Sequence, residues 1–239
     1  MSVPSLEDQR AFWNSWNKSW RFRDDLDFFM VRQKEAAVAC AQRLGLKNAR
    51  ILEAGCGTGW LGNSLTDFGH VTGIDLSEQS IADGKQRHPN VELICGDFLS
   101  IDFGGTFDLV ISADSLAHMY DQQVFVNRIA DRVRPGGTFL LMTQNPLVWN
   151  RRSEFQPPTV GQIERWPSLR QIRRLLARDF RIEHLSSIVP GGDEGILWWV
   201  ENRYVRGGVG RLIGRERWRK LLERVLLGRE FVIVARRNG

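Results

Sequence analysis

The chain of 239 residues has few cysteines and no long apolar run, and both absences limit what it can be. Its three cysteines, at positions 40, 56 and 95, give neither a disulfide framework nor a Cys-x-x-Cys metal pair. The longest apolar stretches, such as 196–200, are far shorter than the ~20 residues of a membrane helix. The first residues also lack the apolar core of a signal peptide. We therefore expect a cytoplasmic protein.

Lysine is scarce as well, and the basic residues, nearly all arginines, are unevenly distributed. Residues 1–150 carry 14 basic and 18 acidic side chains, whereas residues 151–239 carry 19 basic and 10 acidic ones. Arginines cluster at 151–178 and at 203–219. Guanidinium groups bind carboxylates and phosphates well, so these clusters indicate either solvated helix faces or a surface for an anionic partner.

Short apolar runs alternate with amphipathic stretches from about residue 48 onward. We predict strands at 49–54, 70–74, 91–95, 107–112 and 138–143, with helices at 59–68, 78–87 and 122–133. Such alternation is typical of β-α-β units and a parallel sheet covered on both faces. A helix at 168–178 and two strands, 180–187 and 230–236, follow a loop at 146–167. The two strands indicate an antiparallel pair that carries an insertion.

A glycine-rich loop joins the first predicted strand to the first helix. It runs from Glu53 to Gly59 and contains Gly55 and Gly57. Glycines permit positive φ and let a ligand lie against bare backbone at a helix N-terminus. About twenty residues later, Asp75 ends the second strand, where a carboxylate can accept hydrogen bonds from a ribose diol.

These features resemble the class I S-adenosylmethionine-dependent methyltransferases. The resemblance rests on the glycine loop, Asp75, the Gly-Asp-Phe at 96–98, the FDLVISADSLAHM segment from 107 and the RPGG turn before the fifth strand. It covers roughly residues 48–145 and, more loosely, the last strand pair. It implies an α/β, Rossmann-like seven-stranded sheet, mostly parallel with an antiparallel last strand. The glycine spacing differs from the G-x-G-x-x-G of NAD-binding folds, and no Gly-Lys-Ser/Thr of a P-loop follows.

The length of 239 residues predicts a single domain over 1–239, which we divide into three parts. Residues 1–47 form an N-terminal helical cap, residues 48–145 the cofactor-binding core, and residues 146–239 the acceptor side. The last part holds a helical insertion at about 188–229.

The cofactor, S-adenosyl-L-methionine, is expected at the carboxyl ends of the first four strands. The glycines would pass its methionine part, Glu53 would orient its ammonium, and Asp75 would hold the ribose. Asp97 and Phe98 would bind the adenine, and Ser112 with Ala113 would lie beside the sulfonium. The predicted cofactor-binding residues are Glu53, Gly55, Cys56, Gly57, Gly59, Trp60, Asp75, Leu76, Asp97, Phe98, Ser112 and Ala113. Trp60 either lines the pocket or only packs its helix against the sheet.

His118 is the candidate catalytic base, because a neutral imidazole near the end of the fourth strand can take an acceptor proton. The alternative is a structural histidine bonded to the backbone. The segment is similar to the Glu-x-x-Glu-His of ubiquinone-pathway O-methyltransferases, in which two carboxylates and the histidine can bind a metal. Asp114 and His118 match, but Ala117 replaces the second carboxylate, so we predict no metal.

Tryptophans in the cap and in the last third are candidates for binding the methyl acceptor. Trp13, Trp16 and Trp20 share one helix face, which either packs on the body or forms an aromatic lid. The predicted substrate-binding residues are Trp13, Trp16, Trp20, His118, Trp149, Trp198 and Trp199. We predict methylation of an oxygen or nitrogen of a small anionic, aromatic or amphipathic molecule. The alternatives are an RNA or protein methyltransferase that uses the basic third, or a non-catalytic binding module. Arg32 is a candidate partner for the cofactor carboxylate.

Overall fold

The computed structural model describes residues 3–20, 27–151, 159–191, 197–198, 202 and 214–239, with the side chains of 17–20 excepted. Seven strands form one sheet in the order β3-β2-β1-β4-β5-β7-β6. The strands are β1 Ala49–Ala54, β2 Gly69–Asp75, β3 Val91–Cys95, β4 Phe107–Ala113, β5 Val133–Gln144, β6 Phe180–Pro190 and β7 Gly228–Arg237. The pairs from β3 to β5 are parallel, and β7 is antiparallel to both β5 and β6. The predicted fold class is confirmed.

Helices of varied length cover the sheet and its carboxyl edge. They are α1 Leu6–Trp20, α2 Phe28–Arg43, α3 Trp60–Asn63, α4 Glu78–Arg87, α5 Gln122–Arg132, α6 Pro146–Trp149, α7 Leu169–Leu176 and α8 Arg215–Arg224. Two 3-10 turns lie at Thr66–Phe68 and Leu116–His118. None of these described helices is both long and apolar enough to cross a membrane.

Two apolar clusters, one on each face of the sheet, form the core. Neighbouring residues of β4 point to opposite faces, so Leu109 packs with α2 and α3 whereas Val110 packs with α5. Both Leu109 and Val110 are fully buried. A strand buried on both faces needs a continuous apolar run, which is why the central strands were recognisable in the sequence.

The predicted helix at 59–68 is wrong in extent. The helix α3 covers only 60–63, and a separate 3-10 turn follows at 66–68. The Ser64 hydroxyl donates to the Leu61 carbonyl (2.6 Å), and the Thr66 hydroxyl donates to the Asn63 carbonyl (3.0 Å). These local side-chain bonds compete with the helical ladder and end it early.

Two other segments near the acceptor side differ from the prediction in detail. The loop predicted at 146–167 begins with the single-turn helix α6, whose N-cap Asn145 accepts from the Leu147 N–H (3.1 Å). The strand β6 runs to Pro190, which shortens the insertion predicted at about 188–229. Within that insertion the structure describes Leu197, Trp198, Asn202 and the helix α8. The division into cap, core and acceptor side stays a prediction.

Candidate active site

The order of the strands reverses between β1 and β4, and the glycine loop lies at that point of the carboxyl edge. The N–H groups of Gly55 and Cys56 donate to the Ile74 carbonyl, at 2.8 and 3.0 Å, so the loop is anchored on β2. Gly55, Gly57 and Gly59 have φ values of +77°, +56° and +75°. Residues with a side chain rarely adopt this left-handed backbone conformation, so the loop needs glycine at each position.

The three glycines differ in what surrounds them. A Cβ at Gly55 would lie 1.9 Å from Ser115 Oγ, and one at Gly59 would lie 2.8 Å from Leu93 Cδ2. A Cβ at Gly57 would meet no described atom within 4 Å. Gly55 and Gly59 are therefore fixed by packing, whereas Gly57 exposes bare backbone to open space.

Asp75 at the end of β2 is bonded to this loop. Its Oδ2 accepts the Gly57 N–H at 2.7 Å, and its Oδ1 accepts the Ser77 N–H at 2.9 Å. The half-buried carboxylate is thus held beside the open glycine. Leu76, also half-buried, continues the same turn. The Asp75 carboxylate and the open backbone of Gly57 therefore lie side by side.

Glu53 is almost fully buried, and one of its carboxylate oxygens has a structural role. Its Oε2 accepts the Gly62 N–H at 2.9 Å and so caps α3, whose N-cap residue Gly59 has no side chain. Its predicted role towards a cofactor ammonium stays a prediction.

Cys56 and Trp60 both pack against the core on the α2 side of the sheet. The Cys56 side chain is buried, which raises the pKa of its thiol well above the usual value. Cys56 is therefore a neutral packing residue at pH 7 and not a nucleophile. The half-buried indole of Trp60 packs against this core, and its role in lining a pocket stays a prediction.

Asp97 and Phe98 follow β3, but their side chains make mainly local contacts. Asp97 accepts the Leu99 N–H (3.0 Å) and the Ser100 hydroxyl (2.9 Å). Phe98 is only 6% exposed, and its ring centroid lies 5.8 Å from that of Phe103 and 5.4 Å from that of Phe125. An adenine stacked on this ring needs an exposed ring face, which Phe98 does not offer in this conformation. The ring instead belongs to the core.

A polar cluster that the sequence did not suggest lies beside the end of β4. Asp114 has a φ of +61°, and its two oxygens accept from Gln33 Nε2 (2.8 Å) and Gln144 Nε2 (2.9 Å). Gln33 Nε2 also lies 3.0 and 3.1 Å from the carboxylate oxygens of the buried Glu230. Gln33 is fully buried, yet its Oε1 has no hydrogen-bond partner among the described residues. A glutamine on the buried face of α2, with Ala37, Cys40 and Ala41, was the available sequence signal.

Ser112 and Ala113 precede this cluster at the end of β4. Ser112 is fully buried, and its hydroxyl has no partner among the described residues. Ala113 is half-buried beside the core. Of these two residues only Ala113 has exposed surface, and the predicted contact of both with a sulfonium stays a prediction.

His118 is bonded to the backbone and lies half-buried beneath α1. Its Nδ1 lies 2.7 Å from the Ile163 carbonyl, and its ring centroid lies 4.7 Å from that of Trp13. A carbonyl only accepts hydrogen bonds, so Nδ1 carries the proton and the lone pair of the neutral ring is on Nε2. Burial lowers the pKa of His118, while the Ile163 carbonyl and Asp114 oppose that shift. The ring is therefore neutral at pH 7, with Nε2 able to accept a proton.

The helix α1 lies across this edge of the sheet. Asn14 Oδ1 accepts the hydroxyl of Ser77, which follows Asp75, at 2.7 Å. On the same helix, the Trp13 ring meets both His118 and Trp16, the latter at 5.7 Å between centroids. The helix thus connects the turn after β2 with the segment that carries His118.

The other aromatic candidates have different surroundings. The rings of Trp149 and Trp166 lie 5.7 Å apart, and Trp198 is 45% exposed. The side chain of Trp20 and the whole of Trp199 lie outside the described residues. Of the predicted acceptor residues, the structure therefore brings together Trp13, Trp16 and His118.

Arg32, the candidate partner for the cofactor carboxylate, is engaged with carboxylates of the protein itself. It forms ion pairs with Glu35 and with Glu223, the latter at 3.2 Å, and its side chain is 17% exposed. The carboxylates of Glu35 on α2 and Glu223 on α8 balance the charge of its guanidinium. Among the described residues, no group of three or more His, Cys, Asp or Glu could hold a metal ion.

Comparisons with known proteins agree with the motifs and the fold. Residues 51–137 match a methyltransferase domain family. A probable S-adenosylmethionine-dependent methyltransferase of Mycolicibacterium smegmatis is 31% identical, over 42% of this chain and 40% of that protein. A ubiquinone biosynthesis O-methyltransferase of Rhizobium leguminosarum is 29% identical, over 54% of this chain and 57% of that protein. The chain thus spans about half the length of the curated relatives it matches.

A solved structure extends the agreement in fold to nearly the whole chain. The N-methyltransferase NodS from Bradyrhizobium japonicum, solved in complex with S-adenosyl-L-homocysteine, aligns with a TM-score of 0.65 at 14% identity. The alignment covers 97% of this chain and 98% of that one. At this identity the likeness concerns the fold alone. These matches show that residues 51–137 are similar to a methyltransferase domain, in agreement with the glycine loop, Asp75 and the sheet order, which resemble those of the class I S-adenosylmethionine-dependent methyltransferases.

Proposed function

We propose that this protein transfers a methyl group from S-adenosylmethionine to an oxygen or nitrogen of a small anionic, aromatic or amphipathic acceptor. The observation that carries the proposal is the arrangement at one sheet edge. Open backbone at Gly57 beside Asp75 adjoins the segment from Asp114 to His118, and aromatic side chains of α1 lie above it.

The residues present fit the cofactor, because the space beside Gly57 is one that a Cβ would partly fill. Asp75 would hold the ribose hydroxyls, Asp97 the adenine, and the glycine loop the methionine part. Ala113 would lie at the sulfonium. The cofactor supplies an electrophilic methyl group when it is bound, so the protein mainly has to orient the acceptor.

His118 would remove the proton of the acceptor at Nε2. The neutral ring has its lone pair there because Nδ1 donates to Ile163. Trp13 and Trp16 would pack against the apolar part of the acceptor and exclude water from the proton transfer. These roles follow from the tautomer of His118 and from the position of α1 above it.

The polar cluster at Asp114 supports a methyl acceptor that donates a hydrogen bond. Asp114 is half-buried, and each of its carboxylate oxygens has lone pairs beyond those used by Gln33 and Gln144. An N–H or O–H group of the methyl acceptor would donate to one of these oxygens. A hydrogen bond to a charged group is worth about 1.5–3 kcal/mol, so a methyl acceptor with such a group would be favoured.

The basic third of the chain supports the RNA or protein alternative less well. Within the described residues, Arg178 pairs with Asp179, Arg181 with Glu183, and Arg219 with two carboxylates. Arginines paired in this way contribute less to a positively charged surface that could bind RNA. Steep salt dependence of RNA binding would be the mark of the alternative.

The direct test is a screen of phenols, amines and hydroxy- or amino-carboxylates for acceptor-dependent release of S-adenosylhomocysteine. Turnover of a small molecule supports the proposal. Methylation of RNA or protein alone, with every small-molecule class inactive, contradicts it.

Replacing His118 by glutamine is expected to lower kcat on the acceptor so found by roughly 10²- to 10⁴-fold. Glutamine keeps a donor for the Ile163 carbonyl but has no basic nitrogen. S-adenosylhomocysteine binding, measured by calorimetry, should stay unchanged. The exposed His184 on β6, replaced in the same way, is the control.

The pH profile of turnover gives a second readout for His118. The base must be neutral, so the rate should be constant above the pKa of His118 and fall as pH falls through it. Because burial lowers that pKa below its ordinary 6.5, the plateau should extend below pH 6.5. An unchanged acid limb in the His118→Gln variant would assign the titration to another group.

Replacing Asp114 by asparagine is expected to lower kcat/KM by roughly 10- to 100-fold, the effect of about 1.4–2.8 kcal/mol. The NH₂ group of the new amide would lie against an N–H donor of Gln33 or Gln144. Only one, uncharged oxygen would remain to accept a hydrogen bond from the methyl acceptor. Steady-state kinetics with Asp102→Asn, an exposed site, as control checks the effect. Normal kinetics would show that Asp114 does not face the acceptor.

A further inference from the structure

The segment 159–167, which we call the strap, lies against the 3-10 turn that carries His118. Its Ile163 carbonyl accepts the Nδ1–H of His118. Two residues later, the Arg165 N–H donates to the Ala117 carbonyl at 2.8 Å. The strap also lies beneath α1, since a Cβ at Gly161 would be 2.5 Å from the Asp8 carbonyl oxygen. The position of the Ile163 carbonyl therefore depends on how the strap is held.

One side chain joins the strap to the turn. Gln122, the first residue of α5, donates from Nε2 to the Leu116 carbonyl (3.1 Å) and to the Arg165 carbonyl (2.7 Å). Leu116 begins the turn that ends at His118. The amide nitrogen has two hydrogens, and the two carbonyls use both. Gln122 thus bridges the segment that carries His118 and the segment that fixes its tautomer.

Arg165 strengthens the same junction. Its Nη1 donates to the Tyr120 carbonyl at 3.1 Å, and its guanidinium carbon lies 4.5 Å from the centroid of the Tyr120 ring. These contacts are partly exposed, whereas Ile163 is only 7% exposed. The Arg165 side of the junction is therefore accessible to water, whereas Ile163 itself is buried.

We propose that Gln122 is a positioning residue, which keeps the Ile163 carbonyl on His118 Nδ1 and so reserves the Nε2 lone pair for the proton of the acceptor. The proposal rests on the proposed role of His118 as base. Without the bridge, the strap can move away, Nδ1 loses its fixed acceptor, and the proton can occupy Nε2. A ring in that tautomer presents a donor to the acceptor and cannot take its proton.

The test compares two adjacent glutamines. Gln122→Met keeps the side-chain length and removes both donors. Gln123→Met is the matched control: Gln123 is also half-buried, and it donates to Asn127 Oδ1 (2.9 Å) and to the Leu175 carbonyl (3.3 Å), away from the strap. Nitrogen NMR of the protein labelled at histidine reports the tautomer directly. The chain has four histidines, and His118→Gln identifies the signal of His118.

The wild-type protein and Gln123→Met should show a protonated Nδ1 and an unprotonated Nε2 for His118. In Gln122→Met the nitrogen chemical shifts of Nδ1 and Nε2 of His118 should move towards each other. The kcat should fall roughly tenfold with KM little changed. Unaltered shifts in folded Gln122→Met would overturn the proposal, as would an equal change in Gln123→Met.

If Gln122→Met does not fold, Arg165→Met provides the same test. It removes the hydrogen bond from Arg165 to the Tyr120 carbonyl and the stacking on the Tyr120 ring. The backbone hydrogen bond from Arg165 to Ala117 stays intact. The same direction of shift, smaller in size, is expected, and unaltered shifts would again overturn the proposal. A fully active His118→Gln enzyme would refute the role of His118 as the base. The nitrogen chemical shifts of His118 decide the role of Gln122 independently.

Discussion

Replacing Asp75 by alanine is expected to weaken S-adenosylmethionine binding roughly 30- to 150-fold, or by about 2–3 kcal/mol. The variant would lose the carboxylate proposed to hold the ribose hydroxyls. It would also free the N–H groups of Gly57 and Ser77, which Asp75 now accepts. The loop would then have to be ordered by the ligand itself, which adds to the cost of binding. Isothermal titration calorimetry with S-adenosylmethionine measures the effect.

Asp67 provides the control for this prediction. It precedes β2 at the opposite edge of the sheet and is exposed, so Asp67→Ala should bind the cofactor as the wild type does. If Asp75→Ala keeps the wild-type affinity, the ribose lies elsewhere and the proposed cofactor site is wrong.

Alanine at Gly55 is expected to lower Tm by about 4–20 °C, whereas alanine at Gly57 should lower it by only about 2–8 °C. Both substitutions force a Cβ into left-handed backbone, at about 1–2 kcal/mol. At Gly55 the Cβ also overlaps Ser115, and such overpacking adds about 1–3 kcal/mol. Thermal unfolding in the absence of ligand measures the difference.

Ser115→Gly is the partner substitution that isolates the steric part. Combined with Gly55→Ala it removes the overlapping Oγ and Cβ, so the double variant should be more stable than the sum of the single effects. Strict additivity would show that the clash does not limit the loop.

The loss of the rise in Tm that a bound ligand causes should be larger for Gly57→Ala than for Gly55→Ala. Gly57 faces the space assigned to the cofactor, so Gly57→Ala should lose most of the stabilisation that added S-adenosylhomocysteine gives. Folded Gly55→Ala should keep more of it. An equal loss in both variants would mean that Gly57 does not contact the ligand.

Much of the cofactor side could be predicted from the sequence because its signals are local. A buried parallel strand needs a continuous apolar run, and the tight turn after β1 needs glycines with positive φ. Asp75 was identified because the strand before it ends in a definite place. The short helix α3 was mispredicted since its apolar pattern continues past Asn63 while hydroxyl groups of Ser64 and Thr66 interrupt the ladder.

Phe98 shows the limit of assigning a role from chemical type. An aromatic residue after the acidic end of β3 suits an adenine, and the same ring also suits the core. The distances to Phe103 and Phe125 place it in the core, a matter that depends on residues far along the chain. Arg32 illustrates the same limit, because Glu223 lies 191 positions away.

The sequence by itself determined the α/β class, the strand positions, the glycine loop and the acidic residue that follows it, since each depends on neighbours within a few positions. Only the tertiary structure decided which nitrogen of His118 carries the proton, because that depends on the strap bonded to it through Ile163. It alone joined Gln33 to Asp114 and Glu230, and Gln122 to Arg165. These pairs come from separate parts of the chain, and only the packing of α2, α5 and the strap around the sheet edge brings their polar atoms within hydrogen-bonding distance.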